Sequence, residues 1–498
     1  MSILKLPDEL LIEIAKNIVQ SLIIPWGRSV GSVFGHDKSK GLIDEARRTL
    51  LSLTKTNRRL NSIATPFLYH ALDIPDRPTL YLLILSLLNS PRLSYLVREV
   101  RVRLNLTDWF PESELEANNR LEKEFPFRGM TAFEKHSRLL SLFPHLKDAL
   151  TLDHLNCMHL APSTGEEMFG FLLTVTQNLN TLQIIVPSNL DEDYHLVASG
   201  TSSPLRVSSA VLPRLERLLI AADGYQDELT VPQQMPGVFL SGRKVKNLEF
   251  WAPYLGGEEI GTDGWEHVET LRMEDAEISG RWFYELCKQS HPPLKCLQIQ
   301  TSYWCDCSEE YDEDKPGIDE GLSLCTDTLQ KLDIYIDSDD IARQPRLGFQ
   351  KRLSCLPSMK VLTDLTIQAR FLFSSLNDMK TALMSERLPV SLRRLQLSEY
   401  GDLCTSKNPW STGGWVEPDN DYPHLVKYGV RELAKANDKL PHLESVRVKL
   451  EKQDPWGVLQ DVDERASWKW EDTSDGRFSV LEVVPARLDS SAGDRVVV

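Results

Sequence analysis

The hexapeptide Leu179-Asn-Thr-Leu182-Gln-Ile184 contains the spacing of apolar residues that decides the fold of this chain. An apolar residue is followed by two others, a second apolar residue, one other, and a third apolar residue. The final alternation is typical of a β-strand with one buried face. The spacing returns at Leu215/Leu218/Ile220, Val245/Leu248/Phe250, Val268/Leu271/Met273, Leu294/Leu297/Ile299, Leu329/Leu332/Ile334, Leu362/Leu365/Ile367, Leu392/Leu395/Leu397 and Leu443/Val446/Val448.

Turn and helix signals separate these copies. Proline lies just ahead of several of them, as in Leu212-Pro213 and His291-Pro292, and marks a turn before the strand. Helical patterns lie between copies at 165–177, 280–289, 377–387 and 424–435. Val97/Val100/Val102 is an early copy. Strand, loop and helix in regular succession predict a mixed α/β fold built from repeats.

The pattern resembles a leucine-rich-repeat array. The resemblance implies an irregular solenoid, with parallel strands on the concave face and helices outside. The asparagine that usually follows the strand in such repeats is missing, because residues such as Asp223 and Ser302 stand near that place. The alternative is a non-repetitive α/β domain whose strands share the spacing.

Residues between the apolar positions of each strand point to the opposite face of the sheet. In a solenoid these residues would form a polar face that binds a target protein, with Trp251 and Tyr335 as aromatic anchors. The alternative is a solvated sheet face without a partner. The candidate target-binding residues are Glu249, Trp251, Arg272, Glu274, Gln298, Gln300, Asp333, Tyr335, Gln368, Gln396 and Arg447.

A second pattern lies in residues 2–21, SILKLPDELLIEIAKNIVQS. Pro7 suits the first turn of a helix, and Asp8 and Glu9 suit the positive end of its dipole. Apolar residues then recur at helical spacing and predict one apolar face. That face comprises Leu10, Leu11, Ile14, Ile18 and Val19.

The stretch from Leu6 to Ile14 also resembles the opening of an F-box, with its L-P-x-E-L-L-x-x-I pattern. The second half of that motif is matched by the segment from Leu50 to Leu60, with Thr56 where valine is usual. Residues 23–41 form an insertion between the halves. The resemblance implies docking to the Skp adaptor of SCF ubiquitin ligases. The residues that would dock or shape this surface are Leu6, Pro7, Leu10, Leu11, Ile14, Leu50, Leu51, Leu53 and Leu60.

The two resemblances imply an F-box protein that holds a target near a ubiquitin-conjugating enzyme, without catalytic residues of its own and with cullin reached through the Skp adaptor. The alternative is a repeat scaffold whose N-terminal helices only cap the repeats. Under that alternative, Leu10, Leu11 and Ile14 would all be buried within the chain. The expected organisation is a helical module at 1–75, a linker with degenerate repeats at 76–160, repeats at 161–450, and a C-terminal cap with a frayed tail at 451–498.

Composition sets the cellular context. The net charge of -16 over 498 residues argues against general nucleic-acid binding, which needs clustered cations. No secretory signal is expected, since charged residues interrupt the N-terminal apolar stretch, so the cysteines are expected to be free thiols in the cytoplasm or nucleus. The most apolar run, 80–88, is too short to span a membrane and predicts a buried helix.

Motifs for catalysis are missing from the sequence. There is no P-loop, dinucleotide-binding glycine motif or nucleophile elbow. A zinc site is conceivable among the cysteines and histidine between 287 and 325, but the paired ligand spacing is absent. We therefore expect no metal and no cofactor. The acidic stretch 305–316 is expected to be a solvated loop, with attraction of a basic partner segment as the alternative. The cysteines and histidine in question are Cys287, His291, Cys296, Cys305, Cys307 and Cys325.

Overall fold

The computed structural model shows a mixed α/β protein in which parallel strands and helices alternate. It describes residues 6–20, 37–103, 130–144, 169, 172–187, 212–223, 244–251, 254–255, 265–274, 277–278, 280–301, 317–336, 352–368, 371–372, 383–398, 433, 439–451, 467–472 and 478–484. The acidic stretch 305–316 lies outside these residues, as do Cys305, Cys307 and most of the helices expected at 377–387 and 424–435.

The chain divides into two compact units. The first comprises Met1–Tyr254 with Gly261–Val268, and the second comprises Leu255–Ile260 with Glu269–Val498. The division falls within the predicted repeat region, between the fifth strand and the seventh. Each unit is therefore described by itself.

Three helices open the first unit: α1 (Asp8–Gln20), α2 (Asp37–Thr56) and α3 (Arg58–His70). Their shared core consists of Ala15, Ala46, Leu50 and Ala64. Three of these four side chains are alanines, so the helices can approach each other closely. Helix α2 begins at Asp37, so the last residues of the predicted insertion at 23–41 belong to a helix.

A further helix, α4 (Arg77–Asn89), confirms the helix expected for the apolar run 80–88. It begins at Asp76, whose side chain accepts a hydrogen bond from the backbone N–H of Thr79 at 2.7 Å. A 3-10 helix follows at Pro91–Leu96, and helix α5 occupies Ala132–Leu142. Over the residues described, every helix falls short of the length and apolar content needed to cross a bilayer.

In the described part of the first unit, five parallel strands accompany the helices, and each pairs with its neighbour along the chain. Strand β1 (Ala71–Ile74) was not expected, because its residues were assigned to the end of the helical module. Its two large apolar residues, Leu72 and Ile74, nevertheless alternate as a half-buried strand requires. The strands are β1 (Ala71–Ile74), β2 (Glu99–Arg103), β3 (Thr181–Pro187), β4 (Arg217–Asp223) and β5 (Asn247–Trp251).

The described residues of the second unit repeat this arrangement with six parallel strands in chain order. Two final strands pair antiparallel with each other. The second of them also pairs antiparallel with the last parallel strand. The strands are β7 (Thr270–Glu274), β9 (Cys296–Thr301), β10 (Lys331–Ile336), β11 (Asp364–Gln368), β12 (Arg394–Ser398), β13 (Ser445–Glu451), β14 (Ser467–Asp472) and β15 (Phe478–Val484).

Short elements lie between these strands. Helix α6 (Gly280–Ser290) confirms the helix predicted at 280–289. Helix α7 (Ile318–Ser323) precedes β10. The remaining elements are the short strands β6 (Tyr254–Leu255) and β8 (Glu277–Ile278) and the 3-10 helices Trp265–His267, Leu356–Ser358 and Met384–Arg387.

The repeated apolar spacing forms the core of both units. In the first unit Leu182, Leu218 and Leu248 stand side by side on neighbouring strands and are fully buried. In the second unit the residues Leu297, Leu332 and Leu365 do the same. The prediction that each copy of the spacing is a strand with a buried face is therefore confirmed.

The backbone enters each strand in the same way. The residue two places before the second apolar position carries a carbonyl oxygen that accepts hydrogen bonds from two successive N–H groups of the next strand. The carbonyl of Arg98 accepts from Asn180 and Thr181 at 2.9 and 3.1 Å, and that of Asn180 accepts from Glu216 and Arg217 at 2.9 Å each. We call this series of carbonyl groups the entry row. In the second unit Glu269, Lys295, Gln330, Thr363 and Arg393 provide the same paired acceptor.

Candidate functional site

Helix α1 presents apolar side chains on two sides. Leu11 and Ala15 are buried against the other helices. Leu10 and Ile14 lie one turn apart and are 51% and 37% exposed. Successive helical residues point about 100° apart, so Leu10 cannot share the direction of Leu11. The predicted single apolar face of α1 was therefore wrong, since its members divide between core and surface.

The other predicted adaptor residues divide in the same way. Leu51 on α2 is exposed, whereas Leu50 is buried in the helical core and Leu60 on α3 is also buried. Leu53 is half-buried and packs against that core. At the start of the motif Leu6 is half-buried and Pro7 is exposed. The accessible part of this candidate surface therefore consists of Pro7, Leu10, Ile14 and Leu51.

Arg59 ties the start of this surface to α3. Its guanidinium donates to the Asp8 carboxylate at 2.7 Å through Nε, and to the backbone carbonyl of Leu6 at 2.7 Å through Nη2. The sequence analysis missed this contact, because it joins residues more than fifty positions apart. Opposite charges at Asp8 and at Arg59 were the available signal. The contact fixes the place where the chain leads into α1.

The candidate target-binding residues lie on the face of the strands opposite the apolar core. Strand register places the residues of the second unit in two rows across the sheet. One row contains Arg272, Gln298, Asp333, Gln396 and Arg447, with Thr366 between Asp333 and Gln396. The other row contains Glu274, Gln300 and Tyr335. Gln368 lies beside Ser398 on the same face.

The solvent exposure expected for four of these residues was wrong. Glu249, Trp251, Glu274 and Gln368 are at least 95% buried. Glu274 is covered in part by its ion pair with Arg272 on the same strand. The others on this face are half-buried, except Arg447, which is exposed.

The burial of Glu249 and Trp251 has a visible cause in the first unit. The Arg217 guanidinium donates to Glu249 Oε1 through Nε and Nη2, at 3.0 and 2.5 Å. Trp251 packs in a cluster with Ile185, Leu219 and Ala221, none of which the sequence analysis singled out. Among the described residues Glu249 Oε2 and Trp251 Nε1 are buried without a hydrogen-bond partner. This face of the first unit therefore combines an apolar cluster with one hydrogen-bond acceptor and one hydrogen-bond donor that lack partners among the described residues.

Asp333 is one of the titratable groups on this face whose pKa is perturbed, as is Cys296 on the neighbouring strand. Burial raises the pKa of its carboxyl, and the nearby cations Lys331 and Arg272 partly offset that effect. The ionised form of Asp333 is destabilised in the folded chain, because water cannot fully solvate a partly buried carboxylate.

The cysteines of the second unit are brought together only in part. Cys287 and Cys325 are hydrogen-bonded across an Sγ–Sγ distance of 3.8 Å, and both are buried. Cys296 lies instead on β9. The hydrogen bond between the two thiols, together with burial, raises the pKa of Cys287, and burial raises that of Cys355. Cys287 and Cys355 are therefore protonated thiols at neutral pH, which are poor nucleophiles.

Comparison with known proteins adds no assignment. No protein-family model matches the chain. No curated protein matches it either. The fold defines this chain as a mixed α/β protein with successive parallel strands, and neither of these two comparisons assigns it a function.

Proposed function

We propose that this chain is the substrate-recognition subunit of an SCF-type E3 ubiquitin ligase. In this proposal helices α1 to α3 form an F-box that docks to the Skp adaptor, which connects the chain to a cullin. The parallel strands are repeats of a leucine-rich-repeat-like solenoid whose non-core face holds a target protein. The chain works without a cofactor in the cytoplasm or nucleus.

The observation that carries the proposal is the exposure of Leu10 and Ile14 above a buried Leu11. A helix that only capped the repeats would need no large apolar side chain on its outward side. Large exposed apolar side chains grouped on one helix favour a binding surface. Their place within the F-box-like motif favours the Skp adaptor as the partner.

Two observations support a solenoid. Within each unit every parallel strand pairs with the next one in the chain. The apolar spacing and the entry row also recur at each step. Repeated units that contact only their neighbours are the defining property of solenoids.

The target is held, in this proposal, by side chains on the non-core face. Half-buried or exposed side chains such as Gln298, Asp333 and Arg447 would pair with polar groups of the target. Hydrogen bonds to charged groups contribute about 1.5–3 kcal/mol each, so such pairs would add affinity. Binding raises the effective concentration of target lysines near the ubiquitin-conjugating enzyme, and this proximity is the whole contribution of the chain to the reaction.

A scaffold with no role in ubiquitin transfer is the second candidate. The burial of Leu11, Leu50 and Leu60 favours it, because these side chains serve the fold rather than a partner. The two candidates differ in whether the exposed side chains of α1 have a docking function.

Co-purification with the Skp adaptor tests the proposal. We expect the wild-type chain to form a complex, and the double variant Leu10→Ala, Ile14→Ala to bind at least about a hundred-fold more weakly. Each truncation removes an apolar side chain worth about 1.5–3 kcal/mol when buried in the complex. Both residues are exposed in the free chain, so the variant should fold.

The matched control is Leu82→Ala, which truncates an exposed leucine on α4 outside the proposed surface. It should bind the adaptor as the wild type does. A folded wild type that forms no complex, or a double variant that binds normally, would favour the scaffold.

A further inference from the structure

A cationic cleft lies in the first unit, where the chain enters strands β3, β4 and β5. Its volume is about 490 Å³. Its lining is predominantly polar, with Pro213 and Leu215 as the apolar members. The full lining comprises Arg98, Asn178, Asn180, Pro213, Arg214, Leu215, Glu216, Lys244 and Lys246.

The cleft is positively charged, whereas the chain as a whole is negatively charged. Four cations, Arg98, Arg214, Lys244 and Lys246, face a single carboxylate, Glu216. The whole chain has a net charge of -16. Arg214, Lys244 and Lys246 are exposed, and none of them has an ion pair among the residues that the structure describes. Their charges are therefore available to a ligand.

The fold explains why cations so distant in sequence meet here. Arg98, Asn180, Glu216 and Lys246 occupy the same position before successive strands, and the entry row joins them through backbone hydrogen bonds. Lys244 lies two residues before Lys246, so an extended chain turns both to the same side. The four cations come from three separate stretches of the sequence, which is why the sequence analysis missed the cleft.

Arg98 is held in place from beneath. Its Nη1 donates to the backbone carbonyl of Asn178 at 3.2 Å, and the Asn178 side chain donates to the carbonyl of Tyr95 at 2.8 Å. Arg98 is half-buried, unlike the other three cations. An anchored guanidinium loses less conformational freedom when it binds an anion.

We propose that this cleft binds a ligand that bears a phosphate group. Phosphate carries nearly two negative charges and three strong acceptor oxygens, which suits a planar guanidinium surrounded by point-charge ammonium groups. The volume lies within the range of small-molecule sites, and the polar lining disfavours an apolar ligand. The phosphate can belong to a small compound or to a phosphorylated side chain of a protein.

This proposal does not depend on the ubiquitin-ligase function. The cleft lies apart in sequence from the exposed residues of α1, and its test contains no adaptor. Failure of either proposal would leave the other standing.

The test is calorimetric titration of the full-length chain with three probes at low salt. The probes are inorganic pyrophosphate, a phosphoserine peptide, and the same peptide with aspartate in place of phosphoserine. We expect pyrophosphate, the phosphoserine peptide or both to bind, with affinity that falls as salt is added. Binding of pyrophosphate alone identifies a small compound as the source, and binding of the phosphopeptide identifies a phosphorylated protein.

Matched variants locate the binding. Lys244→Gln with Lys246→Gln should weaken it at least ten-fold. Lys55→Gln with Arg92→Gln makes the same change in net charge at exposed positions outside the cleft, and should change affinity less than two-fold. Equal effects of the two double variants, no binding of either phosphate probe, or an aspartate peptide as tight as the phosphopeptide would overturn the proposal.

Discussion

The N-terminal helices leave several large apolar side chains exposed, whereas the strands bury theirs. Among the described residues, five of the eight large hydrophobic side chains with high exposure lie between positions 10 and 95: Leu10, Ile14, Leu51, Leu82 and Tyr95. The strands bury the three apolar positions of each copy of the spacing. A parallel strand inside a sheet is enclosed by neighbours on both sides, whereas a surface helix needs only one stripe of contact. The helical part therefore has apolar surface left for another molecule.

The cores of the two regions also differ in amino-acid composition. The helical core is rich in alanine, with Ala15, Ala46 and Ala64 around Leu50. The strand cores consist of leucine, isoleucine, valine, phenylalanine and methionine. Hydrophobic stabilisation grows with the apolar area removed from water, so the strands gain more from each buried residue. We expect the strands to dominate the stability of the chain.

The largest loss of stability is expected for Leu332→Ala, a substitution in the strand core. Leu332 is fully buried between Leu297 and Leu365 of the neighbouring strands. Its truncation leaves a cavity and should lower the free energy of unfolding by about 3 kcal/mol, as measured by urea denaturation. Val390→Ala, an exposed truncation in the same unit, should cost less than about 0.5 kcal/mol. Similar midpoints for the two variants would show that the strand core is not as tightly packed as described.

A smaller effect separates two adjacent residues of α1. Leu11→Ala should lower the free energy of unfolding by about 2 kcal/mol, because Leu11 is 4% exposed. Leu10→Ala should change it by less than about 0.5 kcal/mol, because more than half of that side chain is already in water. Thermal unfolding of both variants measures the difference. Equal losses would mean that α1 packs through both sides.

The smallest effect is a pH dependence at Asp333. Burial raises the pKa of this carboxyl in the folded chain above its ordinary value of 3.8. The folded state then holds the proton more tightly than the unfolded state, so stability is lost as pH rises through the folded pKa. Asp333→Asn should therefore be more stable than the wild type at pH 7, with the pH-dependent part of that gain absent below 3.8.

Urea denaturation at pH 7 and pH 3.5 measures this difference. Asp327→Asn removes an exposed carboxylate of the same unit and serves as the control. A gain for Asp333→Asn that is the same at both pH values would contradict the assignment of the effect to ionisation.

Sequence periodicity was sufficient to locate the strands because their alternation has a period of two. It located β3 to β5 and the six parallel strands of the second unit, and it assigned Gln298 and Asp333 to the face opposite the core. It missed β1, which is short and directly follows a helix. Periodicity reports which side of an element is apolar, and a short strand after a helix gives too few residues for that signal.

Burial on the second face could not be predicted in the same way. The burial of Glu249 depends on Arg217, and that of Trp251 on a cluster with residues from two other strands. The cationic cleft likewise depends on which residues are neighbours across strands. The separation of Leu10 from Leu11 depends on where α2 and α3 pack. Each of these features is set by tertiary contact, which the period of one element does not contain.

The entry row has a consequence for how such a chain can change. Its hydrogen bonds use only backbone groups, and arginine, asparagine, glutamate, lysine, glutamine and threonine all occupy its positions. Mutation can therefore alter the chemistry of this rim while the strand register is kept. New ligand preferences could evolve, or be engineered, at these positions with little penalty to folding.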